Sequence, residues 1–312
     1  MAWTGFDVGV EYPRVNVRFW GVRGSIAAPG PQTIRYGGNT TCIEIRGDDG
    51  TLVILDAGTG IFPLSRSLLK EMPISANIFI THSHWDHIQG MPFFAPLYVP
   101  DNHIEIYGAY DELTNRGIEH IMEVQLQHSY FPVSEAEMQA NIVHTTIVAN
   151  RPVTLGSLTI TPLMLKHPVV NFGYRVDGDG RSVFFTGDHE PWLNTRDPTD
   201  PGYNDFEQWV LAEHHKLDEA LGGLDVLIAD SSYTTAEYPS KIGWGHGTME
   251  GSMAWAKRLG VKKLVCTHHE PTRDDDALES VFAAALNSCG YTPGIDGAPE
   301  VVLSYEGLEL AL

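Results

Sequence analysis

Thr81-His82-Ser83-His84-Trp85-Asp86-His87 places three imidazoles and one carboxylate within six consecutive residues, directly behind the apolar run Ile78-Phe79-Ile80. The run reads as a buried strand closed by a turn, so the ligand-type side chains stand at a strand's carboxyl end. Sheets of α/β proteins gather their chemistry there, because side chains leaving the last strand residues converge on one crevice. His82 and His84, two apart, point the same way if the backbone stays extended. Asp86 and His87 come after the chain has turned and face a neighbouring point from another side. Imidazole with carboxylate is a donor set for zinc or a similar transition ion, and this geometry suits two adjacent ions better than one.

With its continuation Ile88-Gln89-Gly90-Met91-Pro92, the pattern His82-x-His84-x-Asp86-His87 resembles the signature of the metallo-β-lactamase superfamily. The resemblance implies an α/β fold, an αββα four-layer sandwich of two β-rich halves, with a one- or two-metal site at the sheets' shared edge. It also implies hydrolysis by a metal-bound hydroxide. The motif is specific for fold and metal, and says little about substrate.

Outward from the motif, the chain alternates strands with turns. Arg14 to Trp20 and Thr41 to Arg46 read as strands, and Gly47-Asp48-Asp49-Gly50 turns the second into Leu52-Val53-Ile54-Leu55. Asp56-Ala57-Gly58-Thr59-Gly60 closes that strand and opens a helix to about Lys70. Asp56 is expected to hold loop amides rather than a metal, and the superfamily gives such an Asp a supporting role. Gly37-Gly38-Asn39-Thr40-Thr41 reads as a tight turn. Residues 93–150 interleave Phe93, Phe94, Tyr98, Tyr130 and Phe131 with prolines around a helical segment from about Tyr110 to Gln127, a candidate lid or pocket wall. In the second half, Leu158 to Lys166, Phe172 to Val176, Ser182 to Thr186, Val226 to Asp230 and Val261 to Thr267 read as strands. Helices are expected from Asp205 to Leu221, from Met249 to Leu259 with Thr248 as N-cap and Gly260 as stop, and after Asp274-Asp275-Asp276.

Three of these later strands end in ligand-type residues: His167, Asp188 and His268. The resemblance implies that His82, His84 and His167 hold one metal, that Asp86, His87 and His268 hold a second, and that Asp188 bridges both. His269 competes with His268 for the last position, which the family pattern assigns to His268. Two divalent ions are implied, zinc first and manganese or iron as alternatives. With Asp86, Asp188 and a hydroxide bound, such a centre carries about +1 and suits a monoanionic substrate head.

Trp244-Gly245-His246-Gly247-Thr248 resembles the His-x-Thr loop of the superfamily's phosphodiesterase branch, which includes RNase Z and cyclic phosphodiesterases. The likeness implies that His246 protonates the leaving alkoxide, oriented by the acid at an upstream strand end. Asp230 stands there, where RNase Z has Glu. His246, Asp230 and the metal ligand Asp86 are thus the expected catalytic residues, and Arg23, His246 and His269 the expected substrate contacts. His189 and Glu190 are candidate supporting groups beside Asp188. His167 and Asp188 are only 21 residues apart, which leaves no room for the long tRNA-gripping arm that RNase Z carries between those motifs.

Twenty basic and forty acidic residues give a net charge of −20 over 312 residues, of which 43% are hydrophobic. Such a surface repels nucleic-acid polymers and anionic membranes, because non-specific nucleic-acid affinity comes from Lys and Arg displacing counterions. The length and the lack of a Pro/Ser-rich linker point to a single domain over residues 1–312. Cys42, Cys266 and Cys289 are odd in number and far apart, as expected of small core residues in a reduced cytoplasmic protein. Residues 1–20, with Asp7, Glu11, Arg14 and Arg18, have no secretory-type apolar core, and no run of eighteen apolar residues exists. The expected function is hydrolysis of a small, cyclic-nucleotide-like phosphodiester. The alternative on the same site is a carboxyl-ester, lactone or β-lactam hydrolase. An RNA-processing nuclease fits the charge less well, and a diiron sensor needs a flavin domain for which there is no room. Homodimers are common in the superfamily, so the resemblance allows one here.

Overall fold

The computed structural model describes residues 15–111, 115–291 and 298–312. Two seven-stranded mixed sheets stack face to face. The first contains β1 (Val15–Gly21), β2 (Cys42–Gly47), β3 (Leu52–Leu55), β4 (Ser75–Phe79), β5 (His103–Gly108), β6 (Asn141–Thr146) and β14 (Glu309–Ala311), in the order β14-β1-β2-β3-β4-β5-β6. The second contains β7 (Val153–Leu155), β8 (Leu158–Leu165), β9 (Asn171–Gly178), β10 (Arg181–Phe185), β11 (Val226–Asp230), β12 (Lys263–Thr267) and β13 (Glu300–Leu303), in the order β13-β12-β11-β10-β9-β8-β7. In each sheet a parallel half, β3 to β6 or β10 to β13, joins an antiparallel half.

Side chains alternate between two apolar layers, as the period of two along a strand requires. Val53 and Leu55 of β3 and Val226 and Ile228 of β11 enter the core between the sheets. Their neighbours Leu52 and Ile54 pack outward with α1 (Ile61–Leu68), with Ile88 of the one-turn α2 (Trp85–Ile88) and with α3 (Ile118–Gln125). Leu227 and Ala229 pack outward with α4 (Tyr203–Ala220), α5 (Met249–Leu259) and α6 (Asp275–Ser288). Layers therefore run helix, sheet, sheet, helix, the expected αββα sandwich. Continuous apolar runs such as Val226-Leu227-Ile228-Ala229 follow, because both faces of these strands are covered.

Several boundaries match the reading closely. Thr248 caps α5 by accepting from the Gly251 amide, and Gly260 stops it at φ 68°. Asp274 caps α6 through the Ala277 amide. Cys42 and Cys266 are buried, whereas Cys289 is exposed beyond α6. The reading of residues 93–150 needs correction. β5 and β6 lie within that segment and extend the first sheet in parallel, and the helix begins at Ile118, not near Tyr110; residues 112–114 of the expected helix lie outside those described. What remains of the expected wall is local: Tyr110, Asp111, Ile118 and Ile121 close a hollow of about 70 Å³ beside Ile80, His82 and Ser83. Asp7, Glu11 and Arg14 likewise lie outside the described residues. Among those described, no helix is long and apolar enough to cross a membrane.

The two halves are joined directly beneath the ligand motif. The Tyr174 hydroxyl of β9 donates to Ile80 O at 2.6 Å, and the Phe172 amide donates to Thr81 O at 2.9 Å. These bonds tie the end of β4 to the facing sheet, so ligands from both halves share one frame.

Candidate metal centre

Asp56 after β3, residues 81–87 after β4, His167 after β8, Asp188 after β10, Asp230 ending β11 and His268 after β12 meet at one edge of the sandwich. Donor atoms of His82, His84, His167 and Asp188 lie within 4.8 Å of one another, and so do those of Asp86, His87, Asp188 and His268. Asp188 belongs to both groups and spans them. Its Oδ2 lies 3.5 Å from His82 Nε2 and 3.8 Å from His167 Nε2, while its Oδ1 lies 3.1 Å from His87 Nε2 and 3.0 Å from His268 Nε2. The expected seven-residue set is brought together in the expected division.

Four of the five ligand rings are aimed by what holds the other nitrogen. His87 Nδ1 donates to Asp56 Oδ2 at 2.7 Å, and His167 Nδ1 donates to Gly245 O at 2.9 Å. His82 Nδ1 meets Thr81 Oγ1 at 3.0 Å, and His268 Nδ1 meets Ser232 Oγ at 2.9 Å. In each case Nε2 is left facing the centre, the arrangement that fixes a ligating histidine's tautomer and orientation. Asp86 Oδ2 accepts the Ser25 amide at 2.7 Å. Asp56 also accepts from the Thr81 amide and hydroxyl, so the supporting role read for it extends to aiming a ligand ring. Backbone is bent to the same end. His268 sits at φ 60° and Asp56 at φ 62°, a left-handed conformation that side chains other than glycine adopt only where the surroundings impose it.

The donor set fits divalent cations. His82 Nε2, His87 Nε2 and Asp188 Oδ1 are buried without a hydrogen-bond partner. Each such orphan costs about 1–3 kcal/mol, which a cation between them removes. His84 Nδ1 and His167 Nε2 face each other at 3.0 Å. Since His167 Nδ1 carries its proton toward Gly245 O, the neutral ring turns a lone pair on His84. Burial opposes charge on His87 and His268, yet the surrounding carboxylates together outweigh it, Asp188 foremost with Asp86 and Asp56 at His87 and with Asp230 and Asp86 at His268, and hold both well above the usual imidazole range. The pocket thus demands positive charge at its centre. Burial keeps His82 and His167 neutral, the latter lowered to about 4, as ligand imidazoles must be.

Beside this cluster stands a histidine–carboxylate pair. His246 Nδ1 lies 2.9 Å from Asp230 Oδ2 and 3.7 Å from Asp188 Oδ2. Burial works against its charge, but Asp230 and then Asp188 raise it above the ordinary histidine value. Asp230 is itself held by the His189 amide and by the Ser232 amide and hydroxyl. Glu190 accepts from Tyr238, from the Gly243 amide and from the Gly245 amide, and so shapes the loop that carries His246. Asp188, Asp230, His246 and His268 also lie close enough to form a ligand group. Asp188 and His268 are already shared with the other groups, which leaves His246 and Asp230 as a pair.

A sequence model of the β-lactamase superfamily domain matches residues 51–269. The chain belongs to the β-lactamase superfamily. A ribonuclease Z of a Picosynechococcus species is 33% identical over 252 residues, covering 70% of this chain and 75% of that one. An uncharacterized protein of Mycobacterium tuberculosis is 25% identical over 281 residues, 86% of each chain. The crystal structure of the metallo-beta-lactamase fold protein YhfI from Bacillus subtilis aligns with a TM-score of 0.66 at 18% identity, over 95% of this chain and 99% of that one. These matches put the chain on the superfamily's RNase Z-like branch, among metal-dependent hydrolases.

Two expected substrate contacts of this β-lactamase superfamily member are elsewhere. Arg23 is fully buried, its guanidinium donating to Gly37 O, Arg273 O and Asp275. It joins the loop after β1 to the start of α6, with each guanidinium nitrogen engaged inside the fold and none exposed to a substrate. His269 is also buried, with Nε2 on Ser304 O at 2.9 Å and its ring edge-on to Tyr36. Adjacent residues after a strand point to opposite sides, so His269 faces away from His268. Thr81 and Ser232, which aim His82 and His268, were not singled out in the sequence. A hydroxyl beside a ligand or two residues past a strand-end acid is a weak signal by itself.

Proposed function

We propose that the protein is a phosphodiesterase that holds two zinc-type divalent ions on the seven ligands and hydrolyses small, cyclic-nucleotide-like phosphodiesters. The observation that carries this reading is the His246–Asp230 contact of 2.9 Å beside Asp188. An alkoxide leaves poorly unless it is protonated as its bond to phosphorus breaks, whereas attack on an ester or lactam carbonyl depends less on such an acid. When bound, the ions supply a nucleophile from water at neutral pH and neutralise charge growing on the phosphoryl group. The residues supply the rest. Asp230 accepts the Nδ1 proton of His246 and keeps the ring charged, so Nε2 holds the proton destined for the leaving oxygen. After transfer, the neutral ring stays anchored by the same bond and is reprotonated from water. Asp86 and Asp188, fixed by backbone and neighbouring rings, hold the cluster rigid while the phosphate changes shape. The net charge of −20 and the 21 residues from His167 to Asp188 favour a small diester over an RNA polymer.

The test measures metal-loaded wild type, Asp188→Ala and His246→Ala on bis(p-nitrophenyl) phosphate, on 3′,5′-cyclic nucleotides and on a nitrophenyl carboxyl ester. Nitrophenolate leaves without a proton, so His246→Ala is expected to cut cyclic-nucleotide turnover by about 100-fold or more and bis(p-nitrophenyl) phosphate turnover far less. Asp188→Ala abolishes both. Ester turnover alone, indifferent to His246, overturns the reading in favour of a carboxyl-ester, lactone or β-lactam hydrolase.

A further inference from the structure

Two tryptophans next in sequence to residues of the metal centre are strongly exposed, Trp85 by 72% and Trp244 by 58%. Both adjoin the same ligand pair. Trp85 follows His84, whose Nδ1 is 3.0 Å from His167 Nε2. Trp244 precedes Gly245, whose carbonyl holds His167 Nδ1 and whose α-carbon lies so close that an added Cβ would sit 2.3 Å from that nitrogen. An indole left in water forgoes the burial that usually positions it, and exposed aromatics beside a reaction centre are candidate contacts for a flat ligand.

Trp244 also carries a cation. Lys241 Nζ stands 3.9 Å from the Trp244 ring centroid and 5.5 Å from that of Tyr233. Tyr233 in turn packs edge-on to His246 at 5.9 Å. Among the described residues Lys241 makes no ion pair, in a chain with twice as many acidic as basic residues. A surface ammonium in such a chain ordinarily finds a carboxylate. This one rests on two π faces, two ring contacts from the pair that would protonate the leaving group.

We propose that Trp244 and Lys241 form the recognition platform for the nucleoside part of the substrate: the open face of the indole stacks the base, and Lys241 lies where it can reinforce that stack and attract the phosphate. Base–aromatic stacking tolerates any base because each has a π face, and an ammonium on the opposite face of the ring deepens its attraction. The substrate class narrows from small phosphodiesters to those carrying a nucleobase. This inference rests on the phosphodiesterase reading for its substrate, not for its binding test.

The experiment compares kcat/KM for 3′,5′-cyclic AMP with that for glycerol 1,2-cyclic phosphate, which has no aromatic ring, and measures AMP binding by calorimetry on the metal-loaded protein. In Trp244→Ala the cyclic AMP to glycerol cyclic phosphate ratio is expected to fall about 10-fold or more, mostly through KM, and to recover in Trp244→Phe. Lys241→Met is expected to weaken AMP binding about threefold to fivefold and to flatten its salt dependence. Equal loss on both diesters in Trp244→Ala, or AMP binding indifferent to Trp244, overturns the platform and leaves the phosphodiesterase standing. Wild type that turns over neither diester yet binds AMP through Trp244 overturns the phosphodiesterase and upholds the platform. Wild type that binds no AMP overturns the platform.

Discussion

Replacing Asp56 with Asn should weaken one metal position and spare the other. Asp56 and His87 are both fully buried, and the bond between them is 2.7 Å long. Asp56 touches no donor atom of the cluster directly. It acts through the ring, by fixing the Nδ1 proton and making Nε2 more basic. In Asp56→Asn the amide oxygen can still accept the Thr81 amide, but the amide nitrogen is then left facing His87 Nδ1, donor against donor. The ring must lose that proton to Nε2 or rotate, and either change takes a lone pair from the centre. Loss of such an outer partner weakens metal binding by about 10- to 100-fold, or roughly 1.4–2.7 kcal/mol. His82 Nδ1 is held by the Thr81 hydroxyl, from which an Asn side-chain oxygen can still accept, and His167 Nδ1 by Gly245 O. The assay is competition with a chromophoric chelator, resolving the two metal-binding steps. One step should weaken by that factor while the other moves by less than about threefold. Unchanged affinity at both steps would refute the reasoning, and so would equal weakening of both, which would make Asp56 a support of the fold alone.

Gly243 and Gly245 offer a matched pair. Both have strongly positive φ, 89° and 91°, but a Cβ on Gly243 meets nothing within 4 Å whereas one on Gly245 meets His167 and Pro168. Each Gly→Ala change should cost about 1–3 kcal/mol of stability in denaturant unfolding, yet only Gly245→Ala should displace His167 and lower metal affinity; similar affinity for the two variants would contradict this. Acid stability depends on His269, which burial first and the nearby Arg23 charge further hold down at about 3. Unfolded histidine takes its proton near pH 6.5, so between 6.5 and 3 the unfolded state binds more protons and stability falls as pH falls, by up to about 1.4 kcal/mol per unit. Urea unfolding of metal-free protein between pH 6 and 4.5 should show a shallower decline in His269→Gln, whose amide can still donate to Ser304; an unchanged slope counts against the buried neutral ring.

How much of this was legible depended on whether a residue's neighbours in sequence were also its neighbours in space. β3, β4, β10, β11 and β12 close on short apolar runs followed by a polar residue, and their ends are readable because burial on both faces leaves few polar positions before the strand stops. β5 and β6 were missed although His103-Ile104-Glu105-Ile106-Tyr107 alternates. Aromatic and proline residues on either side suggest a wall, and the parallel partner that makes this stretch a strand is β4, paired 28 residues earlier, Ser75 with His103. The edge strand β14 is three residues long and pairs with β1 near the other end of the chain, a pairing to which local pattern gives no weight.

The ligands and their supports differ in the same way. A ligand must be His or Asp, and at a strand end it must point into the crevice, so residue type and position together constrain it. A support need only offer a hydrogen-bond partner, which Thr81, Ser232 and the Gly245 carbonyl all do; a backbone carbonyl has no signature in sequence at all. Arg23 and His269 show the converse failure. Each has the right chemistry beside the right loop, but the amide of Gly24 bonds to His269 O and the amide of His269 to Val22 O, so the two loops pair like short strands. That pairing fixes alternation: Gly24, where a Cβ would collide with the His268 ring, and His268 itself face the metals, while Arg23 and His269 turn to the far side. The absence of a side chain at Gly24 and the left-handed φ of His268 are therefore two parts of one device. It predicts that Gly24→Ala, at an unremarkable φ, should cost metal affinity in the position held by Asp86, His87 and His268 while the Arg23 cluster stays intact, a result that metal titration beside thermal unfolding would separate from general destabilisation.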